Sequence, residues 1–327
     1  MQTSSCLAPD VTGPVDAAKT STAPAGWHER EEAIMGTRVA VQAWADPSTA
    51  RAAIDAVMAD MRRTDELMST YKPWSQLSQV NAHAFERPVQ VDPDIIDVVS
   101  TAIEYSRLGG GAFDITYASV GYLYDYRRQL HPTEAQIEAN LASVDYRALQ
   151  VDAVACTIRF LRPGMRIDLG GIAKGWAVDR GVGILRRYGI EHGVVNAGGD
   201  TAFLGNRRGK PWVVGVQDPR NPDRVVVRIP LEDEAISTSG DYERYFEADG
   251  VRYHHILVPG TGKSPDAVHS VTVVGANATR TDGLTKTVFI MGAERGLEFI
   301  HRLGDVEAVI VDNAGRVFCS DGFAAPR

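Results

Sequence analysis

The sequence has few cysteines, a deficit of positive charge and no long apolar run. Its three cysteines are odd in number and widely spaced, so neither a disulfide framework nor a cysteine metal knuckle is predicted. No apolar stretch reaches the length that crosses a bilayer as a helix. The net charge of −8 argues against nucleic acid or an anionic membrane surface as the main partner. GxGxxG and the Walker pattern are both missing, so neither familiar nucleotide loop is predicted.

What the chain does have is the composition of a large globular enzyme. It contains 327 residues, 44% of them hydrophobic and 23% charged, which is ample for one core or for two packed lobes. No internal repeat or interdomain linker is visible. The order of helical and strand patterns predicts an α+β fold in which residues 27–327 form one domain, with the site in a cleft between lobes.

Residues 1–26 differ in kind from the rest of the chain. From residue 7 onward they are rich in Ala, Pro, Thr, Ser and Asp without apolar periodicity, which predicts a flexible leader or tether. Cys6 stands just before this stretch. An incidental cysteine and a lipid-modified one are both compatible with its position.

Capping signals and hydrophobic periodicity predict the regular elements. Asp46 and Pro47 mark the start of a helix that runs to Met68, and Gly109 ends another. The predicted helices are 47–68, 93–108, 172–188, 279–291 and Ala293–Leu303. The predicted strands are Thr37–Ala45, 165–168, 212–217, 224–229, 242–246, 253–258, 270–274, 306–311 and 316–319.

Residues 168–200 concentrate charge and glycine around one predicted helix. Asp168 comes just before a glycine pair, and Lys174 falls in the first helical turn. A lysine is unfavourable against the positive end of a helix dipole unless an anion lies nearby, so the segment predicts an anion cradle, with phosphate as the expected anion. The alternative is a solvated lysine beside glycines that serve only the turn.

Seven motifs in a fixed order give the chain a family resemblance. They are MGT at 35–37, STYKPWSQLSQVN at 69–81, GGAFD at 110–114, NAGGD at 196–200, SGDYERYF at 239–246, HHILVPGTG at 254–262 and TDGLTKTVFIMG at 281–292. With the segment at 168–175, this series resembles the ApbE family from about residue 34 to residue 311. The resemblance implies a single α+β unit with mixed sheets and helices around a central FAD cleft.

The resemblance also implies an activity and a setting. It implies an FAD:protein FMN transferase, which cleaves FAD, attaches FMN through a phosphoester to a Thr or Ser of an acceptor flavoprotein and releases AMP. The acceptor would carry an FMN-binding domain, with a D-x-x-[ST]-G-A-[ST]-like loop, in a membrane redox complex. Family members are commonly exported, so a periplasmic location with a lipid on Cys6 is expected.

The resemblance assigns the substrate-binding residues of the cleft. Asp168 would accept hydrogen bonds from ribose or ring N–H groups, and Lys174 would meet phosphate oxygens. The other implied FAD contacts are Met35, Tyr71, Ala112, Phe113, Asp114, Asn196, Gly198, Gly199, Asp200 and Ile256. Core packing is the alternative for Met35 and Phe113, and turn formation is the alternative for the two glycines.

His255 is the predicted general base, because an imidazole titrates near neutrality and can take a proton from the acceptor hydroxyl. It matches the histidine of the family's H-I-x-D-P-x-T-G stretch. Its neighbour His254 would face the other way on a strand and is expected to be structural.

The family's magnesium site is altered in this chain. The resemblance places magnesium on Asp282 and the backbone carbonyl of Gly171, but the usual threonine four residues after the aspartate is Lys286. One helical turn apart, Asp282 and Lys286 are expected to pair, and lysine offers magnesium no oxygen. Thr285 has a hydroxyl that helical geometry turns aside, and it is assigned to the FAD pocket.

Three functional hypotheses remain open at this stage. The first is an FMN transferase that tolerates Lys286, with water completing the magnesium shell or with the ammonium doing part of the cation's work. The second is an FAD-binding relative with weak or lost transfer. The third is a nucleotide hydrolase that only cleaves FAD to FMN and AMP. In the first, Asp282 and Lys286 join His255 as catalytic groups.

Overall fold

The computed structural model describes residues 23–323, so Cys6 and most of the predicted leader lie outside the described residues. No helix in the described range is long and apolar enough to cross a membrane. The α-helices of this range are α1 Pro47–Met68, α2 Gln76–His83, α3 Pro93–Leu108, α4 Ala118–Gly121, α5 Glu134–Leu141, α6 Ala173–Arg187, α7 Ala278–Met291 and α8 Ala293–Leu303. Short 3-10 helices occupy Ile115–Tyr117, Tyr146–Ala148 and Asp321–Phe323.

The strands of the same range form one large sheet and three small ones. They are β1 Gly26–Ile34, β2 Thr37–Ala45, β3 Val89–Gln90, β4 Leu149–Asp152, β5 Thr157–Phe160, β6 Gly193–Ala197, β7 Asp200–Leu204, β8 Trp212–Asp218, β9 Asn221–Leu231, β10 Ala235–Gly240, β11 Tyr245–Ala248, β12 Val251–His254, β13 Val268–Gly275, β14 Val306–Asp312 and β15 Val317–Cys319. The large sheet has the order β1-β2-β6-β7-β10-β13-β14-β15, and each neighbouring pair is antiparallel.

Both faces of the large sheet are covered. Because side chains of a strand alternate between the two faces, each strand contributes to two hydrophobic cores. On β6, Val195 packs in the core that β2 shares with α1 and α6, whereas Val194 packs on the opposite face. On β13, Val273 faces α7 and α8, whereas Val274 joins the opposite face. That opposite face is closed by the β8–β9 hairpin, which contributes Trp212 and neighbouring apolar residues.

A second lobe packs beside this sheet and shares a separate hydrophobic core. Helices α2 and α3 and the β3-β5-β4 sheet enclose this core, and the segment leading into α6 also contributes to it. Met35, at the turn between β1 and β2, contacts both this core and the core under α1 and α6. The start of α6 therefore lies where the two lobes meet.

The predicted α+β class is confirmed, and the capped helices match closely. Asp46 accepts hydrogen bonds from the first turn of α1 and Pro47 is its first residue, while α3 ends at Gly109. The strand predicted at 165–168 is wrong. Asn81, on α2, bonds this extended segment through its side chain, which accepts from Ile167 N at 2.7 Å and donates to Ile167 O at 2.9 Å. The Asn81 side chain thus makes the backbone hydrogen bonds that a neighbouring strand would make.

Candidate active site

Residues 170–175, the glycine turn and first turn of α6, are called the α6 entrance here. Two of its glycines, Gly171 and Gly175, allow the predicted site residues to come into contact. A Cβ atom at Gly171 would lie 3.7 Å from Cε of Lys286, so the lysine stem runs along this turn. Gly175 N donates to Asp282 Oδ2 at 3.0 Å. A Cβ atom at Gly175 would lie 2.2 Å from the carbonyl oxygen of Ala278. Glycine is therefore required where the first turn of α6 crosses α7.

Asp168 is held by three hydrogen bonds just before the glycine pair that leads into α6. Its Oδ1 accepts from Gly170 N at 2.8 Å and from the Tyr117 hydroxyl at 3.3 Å, and its Oδ2 accepts from Thr70 Oγ1 at 3.1 Å. Burial and the nearby Asp168 raise the pKa of Tyr117 well above its ordinary value, so the phenol remains a donor. A carboxylate has about four acceptor positions, so one is left for a ligand donor.

Lys174 lies in the first turn of α6, as predicted, but its nearest anion belongs to the protein. Its ammonium pairs with Oδ2 of Asp200, a side chain only 1% exposed. Burial opposes the charge of the lysine, but Asp200 and Asp282 outweigh it and raise the pKa of Lys174. The second oxygen of Asp200 is buried without a hydrogen-bond partner. Lys174 is therefore charged and fixed, with 27% of its side chain still exposed.

Asp282 and Lys286 form the ion pair that their helical spacing predicts. The ammonium of Lys286 contacts Asp282 Oδ1 and also donates to the backbone oxygen of Asp282 at 3.1 Å. Burial raises the pKa of Asp282, but Lys174 and Lys286 together lower it below its ordinary range. The carboxylate is fully buried and Lys286 is 14% exposed, so the pair is almost entirely shielded from solvent.

The donor set at Asp282 does not fit magnesium. This ion needs several oxygen ligands in near-octahedral geometry. Here one carboxylate oxygen meets an ammonium, the other accepts the Gly175 N–H, and the backbone oxygen also accepts from Thr285 Oγ1 at 2.7 Å. Across residues 23–323, no group of three His, Cys, Asp or Glu side chains could hold a metal. The residues around Asp282 therefore offer magnesium no open set of oxygen ligands.

The predicted loop at 196–200 is the two-residue turn of the β6–β7 hairpin. Gly198 has a φ of +64°, a conformation that favours glycine. A Cβ atom at Gly199 would lie 2.6 Å from the backbone oxygen of Thr238. Asn196 Nδ2 donates across the turn, to Gly198 O at 3.0 Å and Thr201 Oγ1 at 2.7 Å. These contacts explain the residues structurally, and the turn serves to present Asp200 to Lys174.

His255 follows the end of β12 and is held by Arg244. Its backbone N donates to Arg244 O at 3.1 Å, and its Nδ1 lies 3.3 Å from the same oxygen. Burial lowers the pKa of His255 to about 3, with further contributions from Arg244 and Lys286. The imidazole is therefore neutral at ordinary pH, but it does not titrate near neutrality as expected and is a weak proton acceptor while Arg244 and Lys286 face it without a bound anion. His254 is buried, with Nε2 2.8 Å from Pro265 O, which agrees with a structural role.

Two residues that the sequence analysis did not single out complete the cleft wall. Arg244 Nη1 donates to the Tyr71 hydroxyl at 3.0 Å, and Tyr71 is 76% exposed. Thr70, next to Tyr71, bonds Asp168. Both lie inside quoted motifs, SGDYERYF and STYKPWSQLSQVN, so their position within a motif was the available signal. A flat exposed ring braced by a guanidinium suits stacking against an aromatic ligand.

Several predicted FAD contacts are instead occupied within the protein. Asp114 caps the 3-10 helix at 115–117: Oδ1 accepts from Thr116 N at 2.8 Å, and Oδ2 accepts from Tyr146 N at 3.0 Å. Thr285 is fully buried and bonds Ser239 Oγ at 2.8 Å. No part of Thr285 reaches the surface in this structure, and its assignment to the FAD pocket stays a prediction.

The apolar members of the predicted site mostly serve packing. Phe113 is buried in the second lobe, with its ring 3.2 Å from a Cβ atom built at Gly171. Ile256 is buried in the core between β13, α7 and α8. Ala112 and Met35 are half-buried, and Met35 has a φ of +54° at its turn. Phe113 therefore packs against the glycine turn at the start of α6.

Comparison with protein families and characterised proteins gives consistent matches. The model of the ApbE family matches residues 35–310. The FAD:protein FMN transferase of Vibrio cholerae serotype O1 is 36% identical over 261 residues, which cover 77% of this chain and 76% of that protein. The FAD:protein FMN transferase of Treponema pallidum is 29% identical over 315 residues, which cover 90% of this chain and 87% of that protein.

Solved structures with the same architecture also match. The crystal structure of the ApbE protein from Thermotoga maritima has a TM-score of 0.85 and 33% identity, covering 91% of this chain and 98% of that one. The structure of the flavin transferase ApbE from Vibrio cholerae has a TM-score of 0.82 and 31% identity, covering 92% of this chain and 99% of that one.

Proposed function

The chain belongs to the ApbE family, and from that premise we propose that it is an FAD:protein FMN transferase. It cleaves FAD between its two phosphates, attaches FMN through a phosphoester to a Thr or Ser of an acceptor protein, and releases AMP.

The observation that carries the proposal is a pair of fixed cations, Lys174 held by Asp200 and Lys286 held by Asp282. Lys286 is also close enough to His255 to lower the pKa of that imidazole. Helix α6 begins here without a side-chain cap at Ile172, so its first turn adds the positive end of a helix dipole. Phosphoryl transfer requires such positive charge around the phosphate, together with a base for the attacking hydroxyl.

In the proposed reaction, FAD lies with its pyrophosphate over the α6 entrance and its ring system on the Tyr71 side. Asp168, with one acceptor position left, receives a donor from the substrate. The hydroxyl oxygen of the acceptor Thr or Ser attacks the phosphorus of the FMN half while His255 takes the hydroxyl proton. The new P–O bond forms as the bond to the bridging oxygen breaks. That oxygen leaves with AMP and keeps the electron pair of the broken bond, and His255 passes the proton to AMP.

The acceptor and the compartment follow from the same premise. We propose an acceptor that carries an FMN-binding domain with a D-x-x-[ST]-G-A-[ST]-like loop, in a membrane redox complex. An exported, periplasmic location is proposed with it, and a lipid on Cys6 would keep the enzyme near that complex. Cell fractionation with a Cys6→Ser variant tests the anchor: release from the membrane supports it, and unchanged fractionation contradicts it.

The direct test uses FAD and a purified FMN-binding domain that contains this loop. After denaturation, covalent flavin fluorescence on the acceptor band is expected with the wild-type protein. It should be lost when the loop Thr is replaced by Val, because the attacking oxygen is gone. An unlabelled acceptor in the presence of bound FAD would contradict transfer and favour a flavin-binding role.

A further inference from the structure

Lys286 is held in one place beside the glycine turn that leads into α6. Its stem lies along Gly171, where Cε is 3.7 Å from a Cβ atom built on the glycine. Its ammonium is fixed by Asp282 Oδ1 and by the backbone oxygen of the same residue. Both anchors lie on α7, one helical turn before the lysine, so the charge is held by a rigid element rather than by a loop.

Two pairs of opposite charges meet at the α6 entrance, and Glu243 also acts on Lys174. Two buried carboxylates, Asp200 and Asp282, face two ammonium groups, Lys174 and Lys286, and each carboxylate feels both lysines. A divalent cation would add two positive charges to these two ion pairs, whose own charges cancel. With threonine in place of Lys286, the same set would carry one net negative charge and would attract a metal.

The ammonium of Lys286 also has bonding capacity left for a substrate. An ammonium carries three N–H donors. Its two anchors on Asp282 use two of them, and 14% of the side chain remains exposed. One donor is therefore free for an oxygen of the phosphate that is attacked or of the phosphate that leaves.

We propose that Lys286 is a built-in cation that replaces a divalent metal, so that this chain binds FAD phosphates and transfers FMN without magnesium. The inference rests on the proposed function for its chemistry. In the transfer step the ammonium donates one hydrogen bond to a phosphoryl oxygen and stays protonated throughout. The proton of the attacking hydroxyl still goes to His255, and AMP still leaves with the bridging oxygen.

The first experiment measures metal binding directly, without FAD and without turnover. Manganese(II) is titrated into the wild-type protein, Lys286→Thr and Lys210→Thr, and free ion is followed by electron paramagnetic resonance. Lys210 is exposed and lies in the loop before β8, so its variant matches the charge change away from the site. Lys286→Thr should bind at least about tenfold more tightly than the other two, because a repelling unit charge is replaced by an oxygen ligand.

The second experiment measures FMN incorporation into the acceptor domain with excess EDTA and with magnesium. The wild-type protein and Lys210→Thr should transfer at rates within about twofold in the two conditions. Lys286→Thr should lose at least about tenfold of its rate in EDTA and recover with magnesium. Lys286→Met, which supplies neither charge nor oxygen, should be slow in both conditions. Circular dichroism of each variant checks that it is folded.

Two results would overturn the inference. One is wild-type protein that binds manganese as tightly as Lys286→Thr. The other is wild-type transfer that stops in EDTA and returns with magnesium. Failure of the proposed function looks different: no form labels the acceptor in either condition, while the manganese titration still decides whether Lys286 excludes a metal.

Discussion

Replacing His255 by glutamine should make the protein more resistant to acid, for a reason that can be worked from the structure. The pKa of His255 is lowered from 6.5 to about 3, chiefly by burial. Above the unfolded value of 6.5 neither state binds the proton, so nothing is lost. As the pH falls below that value, the unfolded chain binds a proton that the folded chain does not bind. The free energy of unfolding therefore declines until the pH reaches the folded pKa.

The expected magnitude at about pH 5 follows from this linkage. Each pH unit between the unfolded pKa and about pH 5 costs about 1.4 kcal/mol of unfolding free energy, so the wild-type protein loses about 2 kcal/mol relative to about pH 8. Glutamine has no proton to gain, so His255→Gln should lose about 2 kcal/mol less than wild type over the same interval. The lowered pKa values of His254 and His269 affect both proteins equally and cancel in the difference.

The assay is urea unfolding of both proteins at the two pH values, with His301→Gln as an exposed control that should follow wild type. A difference that stays within about 0.5 kcal/mol would refute the burial argument. The same variant should lose about 10²- to 10⁴-fold in transfer rate if the imidazole is the base. Because a bound pyrophosphate would offset Arg244 and Lys286, FAD should also bind wild type more tightly as the pH falls, and this dependence should vanish in His255→Gln.

Three further predictions test the site around this base. Gly175→Ala should destabilise the protein by about 3 kcal/mol in thermal unfolding, because the new Cβ would lie 2.2 Å from a backbone oxygen on α7. The control Gly183→Ala, on the same helix, should be neutral or stabilising, because its Cβ meets only Arg187 Nη1 at 3.9 Å. Lys174→Met should lower the free energy of unfolding by about 3–5 kcal/mol, because it leaves Asp200 buried and unpaired, and adding Asp200→Asn should recover most of this loss. If Lys174→Met is as stable as wild type in urea unfolding, the pairing is contradicted. Asp168→Ala should weaken FAD binding by at least about tenfold through loss of a charged acceptor, and calorimetry that shows unchanged affinity would remove this residue from the site.

Local signals in the sequence were sufficient for the best-defined elements. Asp46 with Pro47 marks the start of α1, and the glycines after Leu108 mark the end of α3, because caps and breakers act within one turn. The strand predicted at 165–168 failed because Asn81, far away along the chain, supplies its hydrogen bonds. No element had been assigned to β1, α2, α5 or the β3-β5-β4 sheet, whose short or mixed patterns are set by tertiary packing.

The same division applies to the candidate site. The pairing of Lys286 with Asp282 follows from helical spacing alone, so the sequence predicts it. Helical spacing does not predict the partner of Lys174, because Asp200 is brought to that lysine by the β6–β7 turn rather than by the helix. Asp114 and Thr285 lie within the right motifs, but the resemblance does not reveal that their oxygens are already bonded to Thr116 and Ser239. Arg244 was overlooked since its contact with Tyr71 joins two distant motifs.

The most direct test of the account is the ratio of AMP released to FMN attached. Purified protein is mixed with FAD, with and without an acceptor domain that carries the D-x-x-[ST]-G-A-[ST] loop, and AMP and acceptor-bound FMN are both quantified over time. Transfer predicts that the two products appear together in equal amounts, and that little AMP forms without the acceptor. AMP that accumulates at the same rate without the acceptor, with free FMN as the second product, would contradict the account and identify a hydrolase.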